Sequence, residues 1–327
     1  MIALLMALAV SAPAPSELKT FKDWIAGCDN GLACQADGMM PEDESVAATI
    51  AVKRGAEASA VPEIWIRVED GKPADIVADG RPLHLRLTAR EDVVEVAPAD
   101  STRLVGALAS AKSLSVVNSA GKEIAIISPS GATAALLYMD DKQHRVGSVT
   151  ALVRKGSAPA STIPAPPAVP TILIPPASNR PAVKLSGAEV RTIRGEDACD
   201  NPSREESPEY DRLDERSTLA LIPTVCASGA YNFAFAAAIV GNDGKFHEAV
   251  FDDASLGGDG TFNAEWDAKT RTLQTGMKGR GLGDRGAWST YAWDGQRFRL
   301  IELNVMDDCH GSIDFITTWR AKAVERR

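Results

Sequence analysis

The chain has 327 residues, 45% hydrophobic and 24% charged, with a formal net charge of −9. That length suits two domains rather than one. The acidity argues against a nucleic-acid partner, which needs a basic face, and against an electrostatic hold on anionic lipid.

Residues Ile2 to Val10 are almost all Ala, Leu, Ile and Met, and small residues follow at Ser11, Ala12 and Ala14. Such an apolar core before a small-residue site reads as a secretory signal over residues 1–14, cleaved after Ala12 or Ala14. It is well short of the ~20 apolar residues a membrane span needs. A periplasmic or secreted protein is therefore expected, with no membrane span after cleavage. Five cysteines in an exported chain suggest disulfides, and the odd number leaves at least one thiol unpaired or bridged to another molecule.

A first domain is expected over 17–155. Ala47–Lys53, Pro62–Val68 and Leu83–Leu87 carry β-branched or alternating apolar residues and read as strands. Asp100 offers an N-cap for a helix over Ser101–Lys112, with Leu104, Val105 and Leu108 on one face. Lys122–Ile127 reads as a strand, Ser130 as the cap of a second helix from Gly131 to Gln143, and Val146–Val153 as a returning strand.

Residues 156–183 form a Pro-rich linker. From Gly156 to Pro181 there are eight prolines among Ala and Ser, and a stretch so poor in donors is expected to join neither sheet nor helix. It reads as an extended spacer, with the apolar Ile172-Leu173-Ile174 resting on a domain. The second domain is expected over 184–325, polar and turn-rich up to Arg216. Three hairpins follow: Ala230–Val240 with Phe246–Phe251 around Gly241–Lys245, Phe262–Asp267 with Thr272–Lys278 around Ala268–Thr270, and Trp288–Trp293 with Arg297–Val305 around Asp294–Gln296. The fold class is thus α+β, mainly antiparallel β: two β-rich domains, the N-terminal one with two short helices.

Two familiar catalytic patterns are missing: there is no G-x-S-x-G and no H-E-x-x-H. His84, His144, His247 and His310 are far apart, and Cys309-His310 supplies only two ligands, so no metal and no cofactor is expected. Asp243, Asp252, Asp253, Asp259 and Asp267 crowd hairpin turns without the EF-hand order, which is ordinary turn chemistry. Lys278–Gly286 is glycine-rich and basic but not a P-loop. If any surface takes a small anion, Lys278, Arg280 and Arg285 are the candidate residues. Asp140, Gln143 and Arg145 read as a solvated helix face with packing contacts.

Four motifs carry a resemblance. Phe21-x-x-Trp24-x-x-x-Cys28-Asp29-Asn30-x-x-x-Cys34-x-Ala36 opens the series. Ser130-Gly131-Ala132-x-Ala134-Ala135-Leu136-x-x-Met139-Asp140-x-x-Gln143-x-Arg145-x-Gly147 follows, then Pro223-x-x-Cys226-x-x-Gly229-Ala230-Tyr231-Asn232. The last is Lys278-Gly279-Arg280-Gly281-Leu282-Gly283-Asp284, with Trp293-Asp294-Gly295-x-x-Phe298 after it. In this order they resemble the exported proteobacterial domain-of-unknown-function family 1176. The first half is more weakly similar to the invasion-associated locus B proteins. The resemblance implies a periplasmic protein without an established activity and supplies no catalytic residues. In the family the glycine-rich turn usually reads Gly-Asp-Cys-Gly, whereas here Arg285 follows Asp284. The resemblance therefore implies that Cys309 has lost its mate, leaving Cys28 with Cys34 and Cys199 with Cys226.

Cys28 and Cys34 lie further apart than a Cys-x-x-Cys redox pair, so structural bridges are expected. The expected function is non-enzymatic binding of an envelope protein or cell-wall component. The alternative is an envelope-acting hydrolase with an unrecognised carboxylate pair, which a cleft holding two carboxylates, one of raised pKa, would favour.

Overall fold

The computed structural model describes residues 14–41, 47–194, 207–224, 229–252 and 261–326. The leader, Cys199, Cys226, Asp253 and Asp259 lie outside the described residues. Strands β1 (Lys19–Phe21), β2 (Trp24–Cys28), β3 (Cys34–Gly38), β4 (Thr49–Arg54) and β5 (Glu63–Arg67) run as an antiparallel meander. The chain leaves it for β6 (Asp75–Ala78) and β7 (Arg81–Pro82). It returns as β8 (Leu87–Arg90) and β9 (Val93–Val96), giving a seven-stranded sheet in the order β1-β2-β3-β4-β5-β9-β8. Helix α1 (Pro98–Ser110) leads to β10 (Leu114–Val117) and β11 (Glu123–Ile127), which complete a second sheet, β11-β10-β6-β7. Helix α2 (Ala132–Lys142) follows. Trp24, Ile50, Ile66, Leu104, Leu108, Ile127, Leu136 and Met139 are buried together in one core between these layers.

After β12 (Thr171–Ile174) and α3 (Gly187–Arg194) come β13 (Glu209–Arg212), β14 (Ser217–Pro223), β15 (Ala234–Gly241), β16 (Phe246–Glu248) and β17 (Thr261–Phe262). These five strands pair around β15 as one sheet. The next is a plain antiparallel meander: β18 (Glu265–Asp267), β19 (Thr272–Lys278), β20 (Gly286–Trp293), β21 (Phe298–Met306) and β22 (Ile316–Arg320). The two sheets enclose a second core of Leu219, Leu221, Ile239, Leu273, Tyr291, Trp293, Phe298, Leu300 and Leu303. Phe298 is its aromatic centre, stacked on Phe251 with ring centroids 5.1 Å apart. The cores draw on separate stretches of chain. A small third cluster, Ile25 and Met39 with Met306 and Ile316, lies where β2 meets β22.

The mainly antiparallel, β-rich α+β architecture expected above is what the structure has. Several local expectations are corrected. Asp100 is not a cap: α1 begins at Pro98 with Ala97 as N-cap, and Asp100 instead accepts hydrogen bonds from the backbone and side chain of Arg86. Ser130 is not a cap either. The N-cap of α2 is Gly131 at φ +102°, and a Cβ there would sit 1.7 Å from the Phe21 carbonyl oxygen, so only glycine fits. Val146–Val153 is irregular rather than a strand, because the buried Asp140 carboxylate takes up the backbone N–H groups of Leu152 and Val153. The Pro-rich segment does join a sheet: β12 pairs in parallel with β23 (Lys322–Glu325). Its four residues contain no proline, and Pro170 and Pro175 only flank them. The polar stretch before Arg216 holds α3 and β13. Val190 and Ile193 of α3 cover Ala220, Ile222 and Val240 on the outer face of β14 and β15.

Candidate functional site

The first motif builds a brace. Trp24 is fully buried and donates its indole N–H to the Ser128 carbonyl. Cys28 and Cys34 face each other across the β2–β3 hairpin and form a disulfide. Inside the loop it closes, one Asp29 oxygen accepts the N–H groups of Gly31 and Ala33, and the other pairs with Arg320. The loop is thus docked against the end of β22, far along the chain.

The second motif is a buried network, which corrects its reading as a solvated face. Asp140, Gln143 and Arg145 are 0%, 2% and 0% exposed. Asp140 binds the guanidinium of Arg54 at 2.8 Å, and Gln143 accepts from Arg54 Nε at 2.7 Å. Burial lowers the Arg54 pKa to about 10, against the opposing pull of Asp140. Arg145 donates to the carbonyls of Ala56, Glu57 and Ala58, and Arg54 to that of Thr150, so both arginines hold irregular backbone in place. Every charge here has a structural task.

A carboxylate cluster lies between β3 and the segment before β22. Asp37 is wholly buried, and Gln35 Nε2 donates both to it and to the Asp314 carbonyl. Arg67 grips the Asp314 carboxylate through Nε and Nη2 and also pairs with Asp92. Burial, then the charge of Asp314, hold the Asp37 carboxyl well above the usual carboxylate range. Sequence reasoning missed this cluster, since its members are 277 positions apart from Asp37 to Asp314 and share no motif.

The third and fourth motifs meet in space. Asn232 Oδ1 accepts the Lys278 N–H and its Nδ2 donates to the Lys278 carbonyl, both at 2.9 Å. Asn263 ties the same junction together, donating to Asn232 Oδ1 and the Gly276 carbonyl and accepting the Phe233 N–H. Of the three candidate cations, Arg280 is engaged. It pairs with the buried Asp284, holding that carboxyl below its usual range, and donates to the Cys309 carbonyl. Asp284 in turn accepts the Gly311 N–H. The side chains of Lys278 and Arg285 have no hydrogen bond or ion pair among the described residues. Beside them stand large apolar side chains in water: Leu282 is 74% exposed, Phe233 47% and Tyr231 37%. Gly281 lies against the Tyr231 ring, which brings the Leu282 loop next to that tyrosine. Cys309 is a free thiol of intermediate exposure.

Of the turn aspartates, Asp243 and Asp267 bond the backbone of their own turns. Asp252 does something else: it is buried and binds Arg299 at 2.8 Å. Among the described residues no group of His, Cys, Asp and Glu could hold a metal, and no helix is long and apolar enough to cross a membrane.

The chain is similar to the uncharacterized protein YpfG of Escherichia coli (strain K12), at 29% identity over 341 residues, covering 94% of this chain and 93% of that one. No solved structure matches it. The family described as "Protein of unknown function (DUF1176)" matches residues 18–322, so the motifs traced through the brace, the buried network and the Asn232–Lys278 junction are those of a member of that family.

Proposed function

We propose that this is a non-enzymatic, exported protein of the periplasm that binds an acidic protein partner of the envelope. In this reading, two β-rich domains on a Pro-rich linker present the face formed by Tyr231, Phe233 and Leu282 with Lys278 and Arg285. The observation that carries it is the exposure of three large apolar side chains beside two cations whose side chains have no hydrogen bond or ion pair among the described residues. Grouped apolar exposure of this kind marks interaction surfaces in soluble proteins. Adjacent unpaired cations would orient an acidic partner and speed its docking. The disulfide fits an oxidising compartment.

The hydrolase reading has one observation in its favour, the raised pKa of Asp37 beside Asp314. Both carboxylates are occupied, however, Asp37 in full burial and Asp314 in the grip of Arg67. A photo-crosslinking residue placed at Leu282 in the native host tests the binding reading. A discrete protein adduct is expected, lost when Lys278 and Arg285 are both changed to Glu. No adduct, or one equally formed from an exposed control position such as Asp70, removes this face as the binding surface.

A further inference from the structure

A groove of about 680 Å3 crosses the outer face of the β18–β22 sheet. That volume is within the range of small-molecule sites, about 300–1,000 Å3. The floor follows from register: Glu265, Gln274, Thr290 and Glu302 are successive cross-strand partners on β18, β19, β20 and β21. All four line the groove. The side chains of Glu265, Gln274 and Thr290 make no hydrogen bond among the described residues. Glu302 is oriented by a short relay, in which Thr317 donates to Asn304 and Asn304 donates to one Glu302 oxygen at 2.8 Å. One wall comes from the β12–β23 ribbon, whose Ile172 and Ile174 cover Ala292 beside Ile301 and Ala321. The β18–β19 turn supplies the other.

The next row of the same face is Gly276, Trp288 and Asn304. A Cβ on Gly276 would fall 2.1–2.7 Å from three atoms of the Trp288 six-membered ring. The missing side chain therefore lets the indole lie over the strand, half-buried, beside the groove rather than in its lining.

From this we infer that the groove binds a hydroxyl-rich glycan, neutral or amine-bearing, with a sugar ring stacked on Trp288 and its hydroxyl or amino groups on the Glu265–Gln274–Thr290–Glu302 row. Flat C–H faces of pyranose rings suit an indole surface, and a row of unsatisfied amide, hydroxyl and carboxylate groups suits polyols. Three carboxylates, Glu265, Asp267 and Glu302, face one lysine, Lys269, along the lining, which disfavours an anionic sugar. Glu265 and Glu302 stand on strands three spacings apart, about 14 Å between backbones at about 4.8 Å each, which suits a row of contacts along an extended ligand.

Titration calorimetry and tryptophan fluorescence with three soluble oligomers test this: β-1,4-linked glucosamine, its N-acetylated form and galacturonate. Saturable binding of the first or second is expected, with none for galacturonate. Trp288→Ala and Glu302→Gln should each weaken it roughly fivefold or more, the size of one lost hydrogen bond or stacking contact. Glu302→Gln keeps the shape of an accessible side chain, so its thermal melt should match the parent. The Lys278→Glu/Arg285→Glu variant should bind the oligomer unchanged, which separates this site from the protein-docking face. Absence of saturable binding, indifference to both groove substitutions, or preference for galacturonate overturns the inference.

Discussion

Asn30 and Arg320 are 290 residues apart and exchange two hydrogen bonds, Asn30 Nδ2 to the Arg320 carbonyl and the Arg320 N–H to Asn30 Oδ1. A side-chain amide here imitates a strand partner at the end of β22. The Cys28–Cys34 bridge holds the loop that presents it.

Removing that imitation has a defined consequence. Asn30→Ala deletes both bonds and should cost about 1–3 kcal/mol in urea unfolding. Cys28→Ser with Cys34→Ser should cost about 2 kcal/mol from loop entropy alone. Because the bridge presents Asn30, the combined variant should lose less than the sum of the two. Strict additivity in this cycle would mean that the bridge does not support the docking.

The Arg54–Asp140 pair is fully buried, so breaking it from one side leaves an uncompensated charge. Asp140→Asn should destabilise by about 3–5 kcal/mol. Hydrogen exchange at the Leu152 and Val153 amides should rise with it, since both donate to that carboxylate. Adding Arg54→Met removes the stranded cation and should restore part of the loss. If the double variant is less stable than Asp140→Asn alone, the pair is not the origin of the penalty.

Asp37 gives a pH dependence of unusual sign for a carboxylate. Its folded pKa is raised above the unfolded value by burial and by Asp314, so the folded state holds its proton more tightly than the unfolded state. This group's contribution to stability is therefore complete below the unfolded pKa, about 3.9. It is lost as pH rises through the raised folded value. Asp37→Asn should remove that dependence, gaining on the parent as pH increases and losing the advantage near pH 4. Parallel stability–pH curves for the two proteins would refute it.

The loop of Arg280 to Arg285 is tied to the 309–311 segment by the Arg280–Cys309 and Asp284–Gly311 hydrogen bonds. Family resemblance places a cysteine where Arg285 stands. Arg285→Cys should therefore oxidise with Cys309, visible as a mass loss of two hydrogens and a linked peptide after digestion. Two free thiols after air oxidation would show that the segments are set too far apart or at the wrong angle.

How far the residues alone speak differs from element to element. Thr272–Lys278 is read to the residue, because alternation and flanking turn residues are local signals. Asp100 and Ser130 mislead, because a side chain able to cap a helix can also be claimed by a distant partner or displaced by a glycine. Asp140, Gln143 and Arg145 mislead more strongly. Polar residues at a helix end look solvated until Arg54 of β4 arrives to neutralise Asp140 and hydrogen-bond Gln143.

Amphipathic period, turn chemistry, the Pro-rich span and the four motifs are properties of neighbours in the chain. They determined the β-rich α+β class, the approximate positions of α1 and α2, and the family. Non-local pairings decided the rest: the Asn30–Arg320 exchange, the raised carboxyl of Asp37, the meeting of Asn232 with Lys278, and the row from Glu265 to Glu302. Each depends on which strands lie side by side and in what register. That is settled by the burial of two whole cores, so no short window of sequence contains it.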